Sequence, residues 1–375
     1  MLRALAVSVL LIALRPTAAG ACACCDVGIE RALVGWSQSG RSALVQAHHV
    51  GCEDHLAFEI WRPGQSEPVG CFDAYSDAPT RRVECGALTF GYDRFAPNET
   101  RPTSSPRAAE YPRAPRQLDP SLLRARLEPV SDAGELPYAL VVELRHQGRW
   151  HELLRAPLGD TGAPEGGAGE EDLMDLPEDE RLGLLMALAV EVRVWPSPRG
   201  RRALLQVRGH NTAPTMGFWP DELRWVELPA AGLRTVEGDV PVYAVPGFAR
   251  SPDSHAMGWH ETDDEIRSLI RALNRHGLAR HRAGDYVESA RWFARAVTMA
   301  PSRAVYRYNL ACALARLAQA EGALAQLAIL ADAPASCERC DERMLRARAD
   351  EDLSSIRARV PRRNAAAETS ENETP

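Results

Sequence analysis

The chain has 375 residues, with 44 basic and 51 acidic side chains and a formal net charge of -7. All the basic residues are arginine, interspersed with acids rather than gathered in a block, which excludes a basic face for nucleic acid. The length allows two domains, each with its own core. The lack of lysine, with much Ala, Gly and Pro, looks like GC-rich coding, so Ala or Arg enrichment alone carries no argument.

Residues 1–21 read as an export signal. Arg3 gives a charged start, Ala4–Leu14 an apolar run too short to cross a bilayer as a helix, and Ala19-Gly20-Ala21 small residues before a cleavage point. Cys22 follows directly. A cysteine at that place resembles a bacterial lipoprotein, in which the thiol is lipidated, although Ala19 stands where leucine is usual. The mature chain would hold nine cysteines, and lipidation of Cys22 leaves an even number, suited to an oxidising compartment. Anchored and freely exported forms both stay open, and the expected location is extracytoplasmic.

A β-rich domain is expected over 22–247. Leu33–Trp36 and Ala43–Ala47 flank the turn Ser37–Arg41 and predict a hairpin. His55–Trp61 alternates, with Leu56, Phe58 and Ile60 on one face. Val69–Tyr75 and Arg81–Ala87 flank Asp77-Ala78-Pro79. A turn centred on Ala78 sets Cys71 opposite Cys85, within reach of a disulfide. Cys52 then pairs with Cys24 or Cys25. Residues 99–120, rich in Pro, Ser and Arg, read as a linker or long surface loop, and the acidic, Gly-rich stretch 159–180 as disordered. Between them Tyr138–Leu144 and Trp150–Leu154 turn at Gln147-Gly148.

Past that loop the first pattern returns. WPSPRGRRALLQV from Trp195 lines up with WSQSGRSALVQA from Trp36, and Leu223–Leu228 takes the place of the strand at Leu56–Trp61. This reads as a duplicated β-meander opened by an S-x-x-G-R turn. The turn resembles that of β-propeller blades without the usual aspartate, and two copies are too few for a closed ring. The expected domain is an antiparallel sandwich or propeller-like fragment.

His48, His49, Cys52 and His55 are residue types that zinc or copper takes, but their spacing fits no standard site and Cys52 is in demand for a disulfide. We therefore expect no metal and no cofactor. Cys337 and Cys340 form a CxxC best read as a local disulfide at a helix start, with free thiols as the alternative. The chain has no G-x-S-x-G, glycine-rich phosphate loop or H-E-x-x-H, so no catalytic residues are assigned.

Residues 248–263 read as a linker, and 264–360 as helices. From Ile270 onward, Gly277, Gly284, Tyr286, Ser289, Phe293, Ala296 and Pro301 fall at the spacing of a tetratricopeptide repeat, a helix–turn–helix unit of about 34 residues. From Ala304 a second copy has Leu310-Ala311, Leu314, Ala323 and Leu327, while His276, Arg280 and Arg307 stand where apolar residues are usual. Arg339–Arg348 and Leu353–Arg359 form a degenerate capping pair, and 361–375 a disordered tail. The expected fold is thus α+β and multidomain, a β-rich part followed by a helical solenoid.

The resemblance implies a partner groove lined by the first helix of each pair. The matching residues are Arg271, Asn274, Leu278, His281 and Arg282, then Val305, Tyr308, Cys312, Ala315 and Arg316. Its arginines suit an acidic or C-terminal carboxylate ligand, although Leu278 and Cys312 stand where a carboxylate clamp needs asparagine. The expected function is an envelope scaffold that binds protein, with no nucleic acid and a membrane link only through Cys22. The competing class is an enzyme, or a small-ligand or metal binder with its site in the β-domain.

Overall fold

The computed structural model describes residues 28–50, 55–73, 82–83, 108–129, 138–157, 190–198, 200–209, 222–247, 264–334, 336–337 and 339–363. The expected export signal, Cys22, Cys52, Cys85, the stretch 159–180 and the linker 248–263 lie outside them. The chain is α+β: strands dominate through residue 246 and helices follow from 264.

Strands β1 (Gly28–Trp36), β2 (Ala43–Val50), β3 (His55–Trp61), β4 (Gly70–Asp73) and β5 (Arg82–Val83) form an antiparallel sheet in chain order. Val83, not Cys85, stands opposite Cys71, so the register differs by two residues from the expected one. Cys71 is disulfide-bonded to a residue outside the described set.

Residues 108–120 are not a surface loop throughout. Arg113 bridges to Trp36, Gln117 and Leu118 are buried, and these two form β6, paired with β13 (Thr235–Val236).

The second sheet has seven strands in the order β12 (Glu222–Glu227), β11 (Arg202–Gly209), β10 (Val190–Pro196), β14 (Val242–Pro246), β7 (Leu123–Pro129), β8 (Tyr138–His146) and β9 (Arg149–Pro157). It is not wholly antiparallel, since β14 and β7 pair in parallel. One core joins Leu123, Leu140 and Val142 of its second half to Val192, Val194 and Leu205 of its first. Side chains on one flat sheet could not meet that way, so the sheet curls into a nearly closed barrel that brings β12 beside β9. Closure also removes most of the exposed edge. Gln147 and Gly148, both at positive φ, make the β8–β9 turn.

The duplicated segments fall in different sheets. Their turns close alike, Ser37 N–H donating to Ser42 O at 3.0 Å and Ser197 N–H to Arg202 O at 2.8 Å. They also touch, through the Ser197 hydroxyl donating to Gly40 O at 2.6 Å. Pro196, rather than Trp195, holds the register place of Trp36, each lying opposite the matching alanine, Ala203 or Ala43. Ala43 and Val45 of the first copy pack with Trp195, Leu204 and Leu223 around Trp36 and Trp61. Ala203 and Leu205, their counterparts, instead face into the barrel. The copies therefore stack face to back.

Helices α1 (Asp264–Arg282), α2 (Tyr286–Met299), α3 (Ala304–Arg316), α4 (Ala320–Ala331) and α5 (Cys340–Ala347) lead into a 3-10 helix at Glu351–Arg359. Gly284, at φ 79°, makes the turn after α1, and Asp285 caps α2 by accepting from Glu288 N–H. A Cβ on Gly277 would lie 2.5 Å from Phe293 Cε1, so only glycine allows this approach of α1 to α2. The Ser289 hydroxyl, donating to Gly277 O at 3.0 Å, fastens the same crossing. The chain stays docked beyond residue 361: Arg363 donates to the carbonyls of Leu330, Ala333 and Pro334 at 2.9–3.0 Å.

Strands and helices share one interface. Tyr243 and Val245 of β14 join the helical core. Next to them sits Glu191, wholly buried, accepting from Arg291 Nε at 2.6 Å and facing Arg193 Nη1 at 3.0 Å. Arg307, the sequence exception in the second helical copy, is also wholly buried. It donates to the carbonyls of Pro246, Gly247 and Pro301 and to Gln326 Oε1 at 2.8–3.3 Å. Burial lowers its pKa to about 9, yet at neutral pH the guanidinium keeps its charge, spread over those oxygens. An arginine among apolar positions is thus the clasp between the two regions.

Candidate protein-binding site in the helical region

The expected groove residues divide into three groups. Asn274 Oδ1 accepts from Asn309 Nδ2 at 2.8 Å, tying α1 to α3. His281, Tyr308 and Arg316 converge on two acids of the segment that follows α5. The Tyr308 hydroxyl donates to Asp350 Oδ2 at 2.5 Å, and His281 Nε2 donates to Asp352 Oδ2 at 2.9 Å. Arg316 Nε lies 3.9 Å from Asp352 Oδ1, with its guanidinium over the Tyr286 ring at 4.8 Å. Three of the residues expected to meet a partner are thus engaged by an acidic segment of the chain itself.

Local structure explains why it sits there. Asp350 caps the 3-10 helix by accepting from Asp352 N–H at 3.1 Å, which aims both carboxylates at the ends of α1 and α3. Arg346 adds a contact to Asp350 at 3.4 Å. Burial, with the bond to Asp350, raises the Tyr308 hydroxyl well above the usual phenol range.

Cys312 stands beside the same acids, and its thiol with one oxygen from each of Asp350 and Asp352 falls within 4.8 Å. Burial and the two carboxylates push that thiol far up, so it stays protonated. Arg316 and Arg346 already supply positive charge to the acids.

The third group is Arg271 and Arg282, both exposed and without an ion-pair partner among the described residues. Arg282 stands alone at the end of α1. Arg271 lines a cavity of about 360 Å³ at the other end of the groove, together with Arg267, Arg303, Arg339 and Arg343. Sequence spacing found only Arg271 of this cluster, because repeat positions counted from Ile270 and Ala304 leave out Arg267 and Arg303, which precede those starts, and Arg339 and Arg343, which lie in the capping pair. Its signal was the arginines at the two helix starts, Arg303 and Arg339.

Cys337 and Cys340 are joined in a disulfide with Cα atoms 5.6 Å apart, so neither offers a thiolate to a metal or a substrate. Cys340 is buried at the start of α5, and the bridge fixes Arg339 between the two cysteines.

In the strand region the backbone register pairs His49 with His55. Their side chains and Cys52 lie outside the described residues. A second cavity, about 430 Å³, opens beside β3 and β4 among Ser37, Arg62, Glu110 and Tyr111.

No helix among the described residues is long and apolar enough to cross a membrane. Comparisons with protein-family models, with curated proteins and with solved structures give no match.

Proposed function

We propose that the protein is an extracytoplasmic scaffold of the bacterial envelope that binds a partner protein through a tetratricopeptide-type helical region. The observation that carries the reading is the capture of Asp350 and Asp352 by His281, Tyr308 and Arg316, which makes the groove of α1 and α3 a receptor for acidic chain. Helix packing supports the repeat assignment. Gly277, Ser289 and Phe293 meet at one crossing, and Ala311, Ala323 and Leu327, at the same spacing in the second pair, are all wholly buried. The curled sheet then acts as the platform to which the helices are clamped.

Two measurements test this. Pull-downs from an envelope fraction should recover a partner with the native chain and lose it when Arg271, Arg282 and Arg316 are all replaced by alanine. Equal recovery removes the groove from the function. Mass spectrometry of the mature N-terminus should show cleavage before Cys22, with or without a diacylglyceryl group. An intact Met1 terminus in the native cell would end the envelope reading.

A further inference from the structure

The CxxC of Cys337 and Cys340 has no part in the groove of α1 and α3, yet its two sulfurs are placed unequally. Cys337 is half-buried and follows the exposed Ser336, whereas Cys340 is wholly buried in the helical core with Met344 and Ala347. A thiolate arriving from solvent therefore meets the Cys337 sulfur first. Reactivity in thiol–disulfide exchange follows this kind of access.

The bridge is also held only lightly. Its cysteines are 3 residues apart in sequence, so chain entropy adds little to its stability. Inside the closed loop Arg339 keeps a left-handed backbone at φ 65°, which is costly for any residue but glycine. Opening the loop frees that residue to relax.

The start of α5 suits a departing sulfur. Cys340 is its first residue, and Arg339 at the N-cap makes no side-chain capping bond. Negative charge on sulfur is favoured at a helix start. Two acids of the same turn are each matched by a guanidinium: Asp341 pairs with Arg363, and Glu342 accepts from Arg339 at 2.7 and 2.8 Å. The cavity of about 360 Å³ adjoins the bridge, because Arg339 lies in its lining. Ile270, Val305 and Tyr306 give that cavity an apolar wall with room for a side chain.

We propose that Cys337 and Cys340 form a thiol–disulfide exchange site. Its substrate is a pair of cysteines in another polypeptide, with an apolar residue beside the first cysteine seated in the cavity. The first substrate thiolate bonds to the Cys337 sulfur. The Cys337–Cys340 bond breaks, and Cys340 leaves with the electron pair and takes up a proton. The second substrate thiolate then attacks the first substrate sulfur, and Cys337 leaves and is protonated in turn. The substrate gives up two electrons and two protons and becomes a disulfide, while the chain gains them as two thiols. In reverse, the reduced chain opens a substrate disulfide through Cys337. This activity does not depend on the groove and stands or falls apart from it.

The first test equilibrates the full chain with mixtures of reduced and oxidised glutathione. Differential alkylation and mass spectrometry then read each cysteine after cleavage at acidic residues, since cleavage at arginine would cut between the pair. Cys337 and Cys340 should open in the folded chain with about tenfold less reduced glutathione than the disulfide of Cys71 needs. A bridge that stays closed until denaturant unfolds the chain would overturn the proposal.

The second test separates exchange from a structural role. Cys337→Ser and Cys340→Ser lose the same bridge, so a structural disulfide alone makes them behave alike. With an oxidised Leu-Cys-Ala-Ala-Cys peptide as probe, Cys340→Ser should trap a mixed disulfide at Cys337. Trapping should be about tenfold or more faster than at the buried Cys340 of Cys337→Ser. Equal trapping by the two folded variants, or none by either, would overturn the site. A peptide with Ser for Leu should react more slowly, and an equal rate would overturn the seating of substrate in the cavity.

Discussion

Gly277 shows how one residue sets a helix crossing. In an exposed helix, replacing glycine by alanine gains up to about 1 kcal/mol of helix propensity. Here the added Cβ would lie 2.5 Å from a ring carbon of Phe293, and that ring is buried with nowhere to retreat. Overpacking of this kind costs about 1–3 kcal/mol. Gly277→Ala should therefore destabilise the chain in urea titrations, and Phe293→Leu should return part of the loss. A gain in stability for the single variant would show that the two helices can simply move apart. At the same scale, Arg307→Met should cost on the order of 3 kcal/mol, since it strands carbonyls of Pro246, Gly247 and Pro301 in the interior. Lys at that position cannot reach the same set in a planar fork and should restore little.

At the scale of single elements, the β7–β8 pair carries a charge cluster that ties stability to pH. Burial alone would raise the Glu143 carboxyl, but Arg124, donating at 2.6 and 3.0 Å, and Arg126 together hold it below the usual value of 4.5. A carboxyl with a lowered folded-state pKa adds stability that is complete above its unfolded pKa and lost as pH falls through the folded one. The difference in unfolding free energy between the native chain and Glu143→Gln should thus be flat from neutral pH down to about 5 and shrink below it. A difference that persists unchanged at pH 3 would mean that the residue acts by packing alone.

The strand itself was legible from sequence, because Tyr138–Leu144 alternates and Gln147-Gly148 is a turn pair. Its arginine partner on β7 was missed although Leu123, Ala125 and Leu127 alternate there with Arg124, Arg126 and Glu128, because no strand was assigned between the loop at 99–120 and Tyr138. The helical region shows a different limit. Spacing found His281, Tyr308 and Arg316, but only folding shows that Asp350 and Asp352 return to meet them. The CxxC disulfide was local and so within reach of sequence. Its closed loop is short, and chain-entropy reasoning gives it only about 2 kcal/mol. Reduction should therefore lower stability slightly while loosening Arg339 at the cavity.

For the whole molecule, sequence reading found strands before helices but separated them with a linker, and implied two independent bodies. The structure joins them through Glu191, Arg193 and Arg291, with Tyr243 donating to Val287 O at 3.1 Å and Gln319 Nε2 to Pro241 O at 2.8 Å. Alternation along β10 explains both roles of that strand. Val190, Val192 and Val194 face the barrel core, while Glu191 and Arg193 occupy the other side, where Glu191 meets Arg291 of α2 and Arg193 bridges Glu191 and Asp239. A carboxylate taken wholly out of water is tolerated only with its cations in place. Glu191→Gln should therefore cost about 3 kcal/mol, because Arg193 and Arg291 keep Asp239 and Glu288 but lose the buried carboxylate they share.

The same interface predicts one unfolding transition for both regions. Helical ellipticity and the fluorescence of the sheet tryptophans, measured in a Trp292→Phe background so that the helices contribute none, should fall at the same denaturant concentration. Residues 264–363 expressed alone should not fold stably, because Arg295 and Arg307 would face solvent beside an uncovered apolar surface. Two separated transitions, or a stable helical fragment, would show that the clasp between strands and helices contributes little. The helices would then fold without help from the barrel beneath them.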